Sequence, residues 1–126
     1  MVRLDRIFKA LADPTRLRIL NLLLDAPGCV CEMEPVLQMS QPLISRHMAN
    51  LRNAGLVSDR RQGMRVNYSL QLEGPEGTAL AELLRLLFLS RDQYRADLER
   101  WRGRTTSADC DLRADGQRKR KDAIVA

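Results

Sequence analysis

The chain has few aromatic residues and no long apolar run. Phe, Tyr and Trp make up 4% of its 126 residues while leucine is abundant, which favours a helical core of aliphatic side chains over a sheet-rich one. No stretch approaches the roughly 18 apolar residues of a membrane-spanning helix, and charges stand where a signal peptide has its apolar centre. We expect one mainly α-helical domain in the cytoplasm, with no membrane partner.

Cysteine and histidine are also scarce, with three and one copies. Without an export signal, the three cysteines predict free thiols, because the cytosol keeps thiols reduced. The sequence has no CxxC pair and no glycine-rich phosphate loop, and Ser45 lies two positions from His47, so the two cannot form a nucleophile and base pair on one helix. These absences argue against an enzyme and against an organic cofactor.

Positive charge is concentrated in one part of the chain. The formal net charge is +5 and the sequence pI is about 9.6. Residues 40–68 contain five arginines and a single acidic residue, Asp59, and therefore carry most of that excess. A basic segment of this kind suits a polyanionic partner such as DNA.

Periodicity and capping signals predict four helices in the first half of the chain. The first has apolar residues at the i, i+3, i+4, i+7 spacing: Leu4, Ile7, Phe8 and Leu11. Asp13-Pro14 is typical of the start of a second helix, which Pro27-Gly28 ends. A short third helix follows, and Ser40-Gln41-Pro42 repeats the cap-then-proline signal for a fourth helix, which runs to about Asn53.

From Leu56 the apolar period changes to two. The stretches LVSDR and RVNYSL flank the turn RQGM, in which Gly63 can adopt a positive φ, so the sequence predicts a β-hairpin. A short helix, a turn, a second helix and a basic hairpin form the order of a winged helix-turn-helix. We therefore predict a mainly α fold of this class, with the fourth helix in the major groove of double-stranded DNA.

The predicted DNA-binding residues lie on the fourth helix and on the hairpin. On the helix they occupy the side opposite Ile44, Met48 and Leu51, which would be buried. Serine hydroxyls suit phosphates, and glutamine and arginine side chains can reach base edges. The residues are Ser40, Gln41, Ser45, Arg46, His47 and Asn50 on the helix, and Arg60, Arg61 and Arg65 on the hairpin.

The second half of the chain predicts one long helix, from about Thr78 to Trp101. Its apolar residues follow alternating steps of four and three, and this terminal stripe suits a partner helix and hence a homodimer formed through terminal helices. The stripe consists of Leu80, Leu84, Leu87, Tyr94, Leu98 and Trp101, with Arg91 the one polar residue in that register. We assign residues 1–102 to a DNA-binding and dimerisation domain. Residues 103–126 lack periodicity and include the run RKRK, so we predict a disordered basic tail.

Several of these segments resemble the arsenic-responsive branch of the ArsR/SmtB repressors. The resemblance lies in LADPTRLRIL, CVCEM, SQPLISRHMANLRNAGLV and DRRQGMRVNYSL, and it covers roughly Leu4 to Leu70. It implies a homodimeric winged-helix repressor that binds a two-fold symmetric operator and releases it when an inducer binds. In that branch two cysteines flank a valine, as Cys29 and Cys31 do here, and a third cysteine follows three positions later; this chain has Glu34 there.

The two neighbouring cysteines are the predicted inducer site. Soft thiolates bind trivalent arsenic or antimony, which prefers two or three sulfur ligands. Cys29 and Cys31 would grip one As(III) or Sb(III) ion, with Cys110, a cellular thiol or hydroxide in any third place. Residues two apart on an ideal helix point to nearly opposite sides, so the first turn must be non-helical or distorted. We expect the helix dipole to favour the thiolates, and metalloid binding to pull helix three against helix four.

Three other interpretations of these residues remain open. The thiols of a repressor with the same fold could sense oxidants or reactive sulfur, although a disulfide across one residue would be strained. Two cysteines at a helix start could also simply be small buried hydrophobes. A helical interaction module using only the last helix would leave the hairpin arginines as a solvated surface.

Overall fold

The computed structural model describes residues 4–104. They form six helices and a three-stranded antiparallel sheet with the strand order β1-β3-β2. The elements are α1 (Leu4–Leu11), α2 (Pro14–Asp25), β1 (Gly28–Cys29), α3 (Val30–Leu37), α4 (Gln41–Asn53), β2 (Val57–Gln62), β3 (Arg65–Leu70), α5 (Gly74–Leu89) and α6 (Asp92–Arg102). The predicted winged helix-turn-helix is confirmed. Within residues 4–104, no helix has both the length and the apolar character needed to cross a bilayer.

Helices α2 and α4 begin where the capping signals place them. The Asp13 carboxylate accepts hydrogen bonds from the N–H groups of Thr15 at 2.8 Å and Arg16 at 3.1 Å, which fixes the start of α2. Ser40 caps α4 through Leu43 N–H at 3.4 Å. The hairpin turn has Gly63 at φ 63°, a conformation that favours glycine.

The core lies between α2, α3, α4 and the base of the sheet. Ile19, Leu22, Met33, Ile44 and Met48 are all fully buried in it. Hydrogen bonds from Arg18 of α2 to Asp97 of α6 join these two helices. The shared core thus holds the predicted recognition helix α4 next to the strands β2 and β3.

The predicted single terminal helix is wrong, because the chain breaks between α5 and α6. The Ser90 hydroxyl and the Arg91 guanidinium both donate to the Leu87 carbonyl, at 3.0 and 2.7 Å, and such side-chain bonds compete with helix continuation. Past the break, α6 packs on α2, where the Asn21 amide donates to the Tyr94 carbonyl at 2.8 Å. The periodicity runs unchanged through the break and therefore did not reveal it.

The break also changes what the terminal stripe does. Trp101 is fully buried in the core of its own chain and Leu98 packs against that core, so neither is available to a partner helix. The proposed boundary at residue 102 stays a prediction. Of the predicted disordered tail, residues 105–126 lie outside the described residues, whereas Arg104 contacts the domain through its side chain.

Candidate DNA interface and thiol site

The buried face of α4 determines which side chains its other face presents. Ile44, Met48 and Leu51 are fully buried, as expected from their spacing. Ser40, Ser45, Arg46 and Asn50 are exposed on the opposite side, and Gln41 is half-buried. The Asn50 amide donates to the Arg46 carbonyl one turn earlier at 3.3 Å. This face is polar and positively charged, as a helix that lies on DNA requires.

His47 lies differently from the other predicted residues of α4. Its side chain is 13% exposed, and its Nδ1 is 3.9 Å from Asp13 Oδ1. This Nδ1 is buried without a hydrogen-bond partner among residues 4–104. Burial raises the pKa of Asp13, but the Arg16 N–H and the Arg16 and His47 charges outweigh it, so the pKa is lowered. His47 therefore lies on the recognition helix α4, close to the Asp13 cap of α2.

The hairpin of β2 and β3 presents its arginines unequally. Arg60 and Arg61 are exposed near the tip, where no acidic side chain forms an ion pair with them among the described residues. Asp59, further down β2, pairs with Arg52 of α4 at 2.9 Å. Arg65 is half-buried, and its Nη1 is fully buried without a hydrogen-bond partner within residues 4–104. The tip thus resembles a DNA-binding wing, and Arg65 is less exposed than Arg60 and Arg61.

Cys29 and Cys31 lie on either side of a change in backbone structure. Cys29 belongs to β1, opposite Asn67 of β3, and has extended backbone angles of φ −103° and ψ 163°. Cys31 is the second residue of α3. The two sulfurs are therefore not carried by one regular helical turn, which is the condition that joint binding of one ion requires. In addition, Pro35 lacks the N–H that would bond to the Cys31 carbonyl in a regular helix.

The surroundings of Cys29 bury its thiol. Its N–H donates to Glu32 Oε1 at 3.1 Å, and Glu32 Oε2 accepts from Arg104 Nε at 2.8 Å. The Arg104 guanidinium lies 3.8 Å from the centre of the Trp101 ring. At Gly28 an added Cβ would be 2.4 Å from Trp101 Cη2, so this position has no room for a side chain. The last described residue, Arg104, is therefore linked to Cys29 through Glu32.

The expectation that the helix dipole makes these thiols acidic is wrong for Cys29. Burial raises the pKa of its thiol above the ordinary value, and the negative charge of Glu32 adds to the rise. The Glu32 N–H and the charge of Arg65 oppose it without reversing the direction. Desolvation of the thiolate thus outweighs the helix end, and Cys29 is a protonated thiol at neutral pH.

The three cysteines differ in state. Cys29 has a buried thiol that is not part of a disulfide, as predicted. Cys31 is disulfide-bonded, so the expectation of free thiols is wrong for it in this structure. Cys110 lies outside the described residues. Within residues 4–104, no three His, Cys, Asp or Glu side chains form a group that could hold a metal ion.

Sequence reasoning missed Glu32, Arg104 and the strand β1. Glu32 follows Cys29 by three positions, which is the spacing of a capping box, so its bond to the Cys29 N–H had a recognisable signal. Arg104 and the two-residue strand β1 had none, because a long-range ion pair and a strand of this length leave no periodic pattern.

An exposed polar helix face and a basic hairpin on a helical support define a winged helix-turn-helix DNA-binding protein. Residues 13–59 match the model of the bacterial regulatory proteins of the arsR family. The chain is 42% identical over 99 residues to the arsenic resistance transcriptional regulator ArsR2 of Pseudomonas putida, and the matched region covers 77% of this chain and 84% of that protein. The chain therefore belongs to the ArsR family of transcriptional regulators, which are not enzymes.

Two further comparisons agree with this assignment. The arsenic resistance transcriptional regulator ArsR1 of the same organism is 51% identical over 72 residues, which span 56% of this chain and 56% of that protein. The solved structure of HlyU from Vibrio cholerae superimposes with a TM-score of 0.61 at 39% identity, covering 68% of this chain and 90% of HlyU. The segment shared with ArsR1 thus spans little more than half of either chain.

Proposed function

We propose that this protein is a metalloid-responsive repressor that binds operator DNA as a homodimer and releases it when As(III) or Sb(III) binds Cys29 and Cys31. The observation that carries the proposal is the position of Cys29. It lies at the junction of β1 and α3, where it pairs with a strand of the wing and directly precedes the helix that packs on α4. Relatives that are named arsenic resistance regulators support the inducer class.

The DNA contacts in this proposal come from α4 and from the wing. Exposed side chains of α4 reach phosphates and base edges, and the wing arginines lie along the backbone. Of the residues predicted above, the proposal keeps Ser40, Gln41, Ser45, Arg46 and Asn50, with Arg60 and Arg61 on the wing and His47 acting from its half-buried position, while a DNA contact of the half-buried Arg65 stays a prediction. Because Arg46, Arg60 and Arg61 would neutralise phosphates, affinity should fall as the salt concentration rises.

The dimer in this proposal uses the exposed apolar side chains of α1 and α5. Apolar surface that stays exposed on one chain favours association, since burial removes it from water. The exposed residues are Leu4 and Phe8 on α1, and Leu83, Leu86, Leu87 and Leu89 on α5. This exposed apolar surface takes the place of the terminal stripe as the proposed dimer interface. Dimerisation through terminal helices remains the prediction.

The chemistry of the two cysteines suits a trivalent metalloid. Arsenite reacts as As(OH)₃, and two thiols replace two hydroxyls, with the thiol protons leaving as water. A protonated Cys29 is compatible with this overall reaction, since no net proton has to be removed beforehand. The soft sulfur ligands favour arsenic or antimony over hard cations. Cys31 must be reduced for this reaction, because a disulfide offers no thiol.

A third ligand could come from the C-terminal segment. Cys110 follows Arg104 by six residues, and six residues span at most about 20 Å. Since Arg104 is bonded to Glu32 beside Cys29, Cys110 has the reach to meet the pair. A cellular thiol or hydroxide would fill the place otherwise.

Release of the operator follows from the position of Cys29, which pairs with the wing strand β3 and directly precedes α3, the helix that packs on α4. Pulling Cys29 towards Cys31 would break the Cys29 bond to Glu32 or shift β1 against β3, and either change moves α3 or the wing. An inducer can move the equilibrium only by its differential affinity, and a shift from 1:99 to 99:1 needs about 5.5 kcal/mol. Two new As–S bonds that form only in the released conformation would supply such a difference.

The experiment is an operator-release titration. Reduced protein is bound to a labelled fragment of its own upstream DNA, and arsenite is added while fluorescence anisotropy is recorded. Cys29→Ser and Cys31→Ser should bind the DNA like the wild type and fail to release it at arsenite concentrations that release the wild type. A serine variant that releases normally would exclude its cysteine from the inducer site, and Cys110→Ser tests the third ligand.

The disulfide at Cys31 favours a second candidate, a thiol-redox-sensing repressor of the same fold. In that case peroxide would release the operator without arsenite, and dithiothreitol would restore binding. Mass spectrometry of the peroxide-treated and arsenite-treated protein distinguishes the two by the loss of two hydrogens or the gain of one arsenic atom.

A further inference from the structure

Arg65 differs from the other arginines of the wing. Arg60 and Arg61 extend into solvent, whereas the Nη1 of Arg65 is buried without a hydrogen-bond partner among residues 4–104. Leaving a charged donor buried and unsatisfied is costly, so such a group usually has a ligand. The sequence alone assigned Arg65 to DNA, together with its exposed neighbours. Its burial argues for a different partner.

The strand register places Arg65 next to the thiol site. In the β1 and β3 pairing, Cys29 lies opposite Asn67, and Arg65 is two residues from Asn67 on the same face of β3. Diagonal neighbours of this kind are within reach of a long side chain. The charge of Arg65 acts on the Cys29 thiol, where it lowers the pKa against the larger effect of burial. The register thus places Arg65 on the same side of the sheet as Cys29.

We propose that Arg65 is the hydrogen-bond donor of the inducer site, and that its Nη1 binds the hydroxyl oxygen remaining on a trivalent metalloid held by Cys29 and Cys31. This inference rests on the proposed function. When As(OH)₃ reacts with two thiols, two As–S bonds form, two As–O bonds break and two waters leave. Arsenic stays trivalent and keeps one hydroxyl, which accepts a hydrogen bond.

The described part of the chain offers no third protein ligand that would replace this hydroxyl. No group of three His, Cys, Asp or Glu side chains exists in residues 4–104 that would replace the hydroxyl by a third protein ligand. The Glu32 carboxylate, which accepts from the Cys29 N–H, also accepts from Arg104. Arg65 is therefore a specificity residue that favours inducers with a hydroxyl over those with carbon in the third position.

The test compares two inducers that differ at the third position. Methylarsonous acid, CH₃As(OH)₂, also condenses with two thiols, but a methyl group then occupies the place of the hydroxyl. Each compound is titrated into fully reduced protein, and binding is measured by calorimetry and by the fluorescence of Trp101, the single tryptophan. The variants are Arg65→Met, Arg65→Lys and the matched control Arg61→Met, which changes an exposed arginine of the neighbouring strand.

Arg65→Met should weaken arsenite binding about 10- to 100-fold, as expected for loss of a hydrogen bond from a charged donor, and leave methylarsonous acid unchanged. Arg65→Lys keeps a charged donor and should retain part of the arsenite affinity. Arg61→Met should bind both compounds like the wild type. Circular dichroism checks the fold of each variant, and Arg65→Lys keeps the test decisive if the methionine variant unfolds.

Two results would overturn the role of Arg65. One is an Arg65→Met protein that binds arsenite normally, as expected if Cys110 replaces the hydroxyl. The other is an equal loss of affinity for both compounds, which indicates a general effect on the site. The proposed function would instead be refuted if the wild-type protein bound neither compound, or if a variant without Cys29 and Cys31 bound both.

Discussion

Replacing Asp97 with Asn should destabilise the domain strongly, although Asp97 is far from the proposed DNA and inducer sites along the chain. Its carboxylate is 0% exposed and accepts from Arg18 Nε at 2.7 Å and Nη2 at 2.9 Å. Arg100 and Gln93 donate to the same side chain, at 2.7 and 3.0 Å. The hydrogen bond to Asp97 and the negative charge of Asp97 raise the pKa of Arg18, although burial of Arg18 acts to lower it. This network joins α6 to α2.

The expected magnitude follows from the burial of each partner. Removing one member of a buried ion pair costs about 3–5 kcal/mol, because the remaining charge stays buried without compensation. Arg18 is 18% exposed and Arg100 43% exposed, so both regain some contact with water. We therefore expect a loss near the lower limit, about 3 kcal/mol, which corresponds to a fall in Tm of roughly 10–20 °C for a domain of this size.

The assay is urea denaturation at a fixed protein concentration, followed by circular dichroism and by Trp101 fluorescence. A fixed concentration matters, since dimerisation would make the apparent stability depend on it. Asp92→Asn is the matched control, because Asp92 lies on the same helix and also pairs with the arginine three residues later, but is 94% exposed. Its screened pair should contribute little. Equal losses in the two variants would refute the view that α6 belongs to the core of its own chain.

Three further predictions concern the proposed surfaces. Replacing both Arg60 and Arg61 with Gln should reduce the slope of log affinity against log salt by about 0.9 for each phosphate that is no longer neutralised, as measured by anisotropy. Because burial raises its pKa, the Cys29 thiol should stay protonated to a higher pH than an ordinary cysteine, so iodoacetamide labelling of Cys29, followed by mass spectrometry, should accelerate at a higher pH than labelling of a cysteine in a short peptide. Leu83→Glu combined with Leu86→Glu should give a monomer in sedimentation, because charge replaces an exposed apolar face.

The sequence predicted the parts of the fold that local signals control. Caps and prolines determine where α2 and α4 start, and alternation with Gly63 determines the hairpin, so these elements agree with the structure. The break after Leu89 depends on what α6 packs against, which no local pattern encodes. The same holds for the surroundings of Arg65, because only the pairing of β1 with β3 brings its strand beside Cys29.

The pairing of β1 with β3 also bears on how a thiol site could control two DNA-binding elements at once. Cys29 is opposite Asn67 in the wing strand, and the next residue begins α3, which packs on α4. A displacement of Cys29 therefore acts on ordered backbone, since Cys29 is the last residue of β1 and the next residue begins α3. It must strain the β1 and β3 bonds, the start of α3, or both. The coupling therefore depends on the displacement of Cys29, for which Cys31 supplies the second sulfur. Both serine variants should consequently lose release at arsenite concentrations that release the wild type.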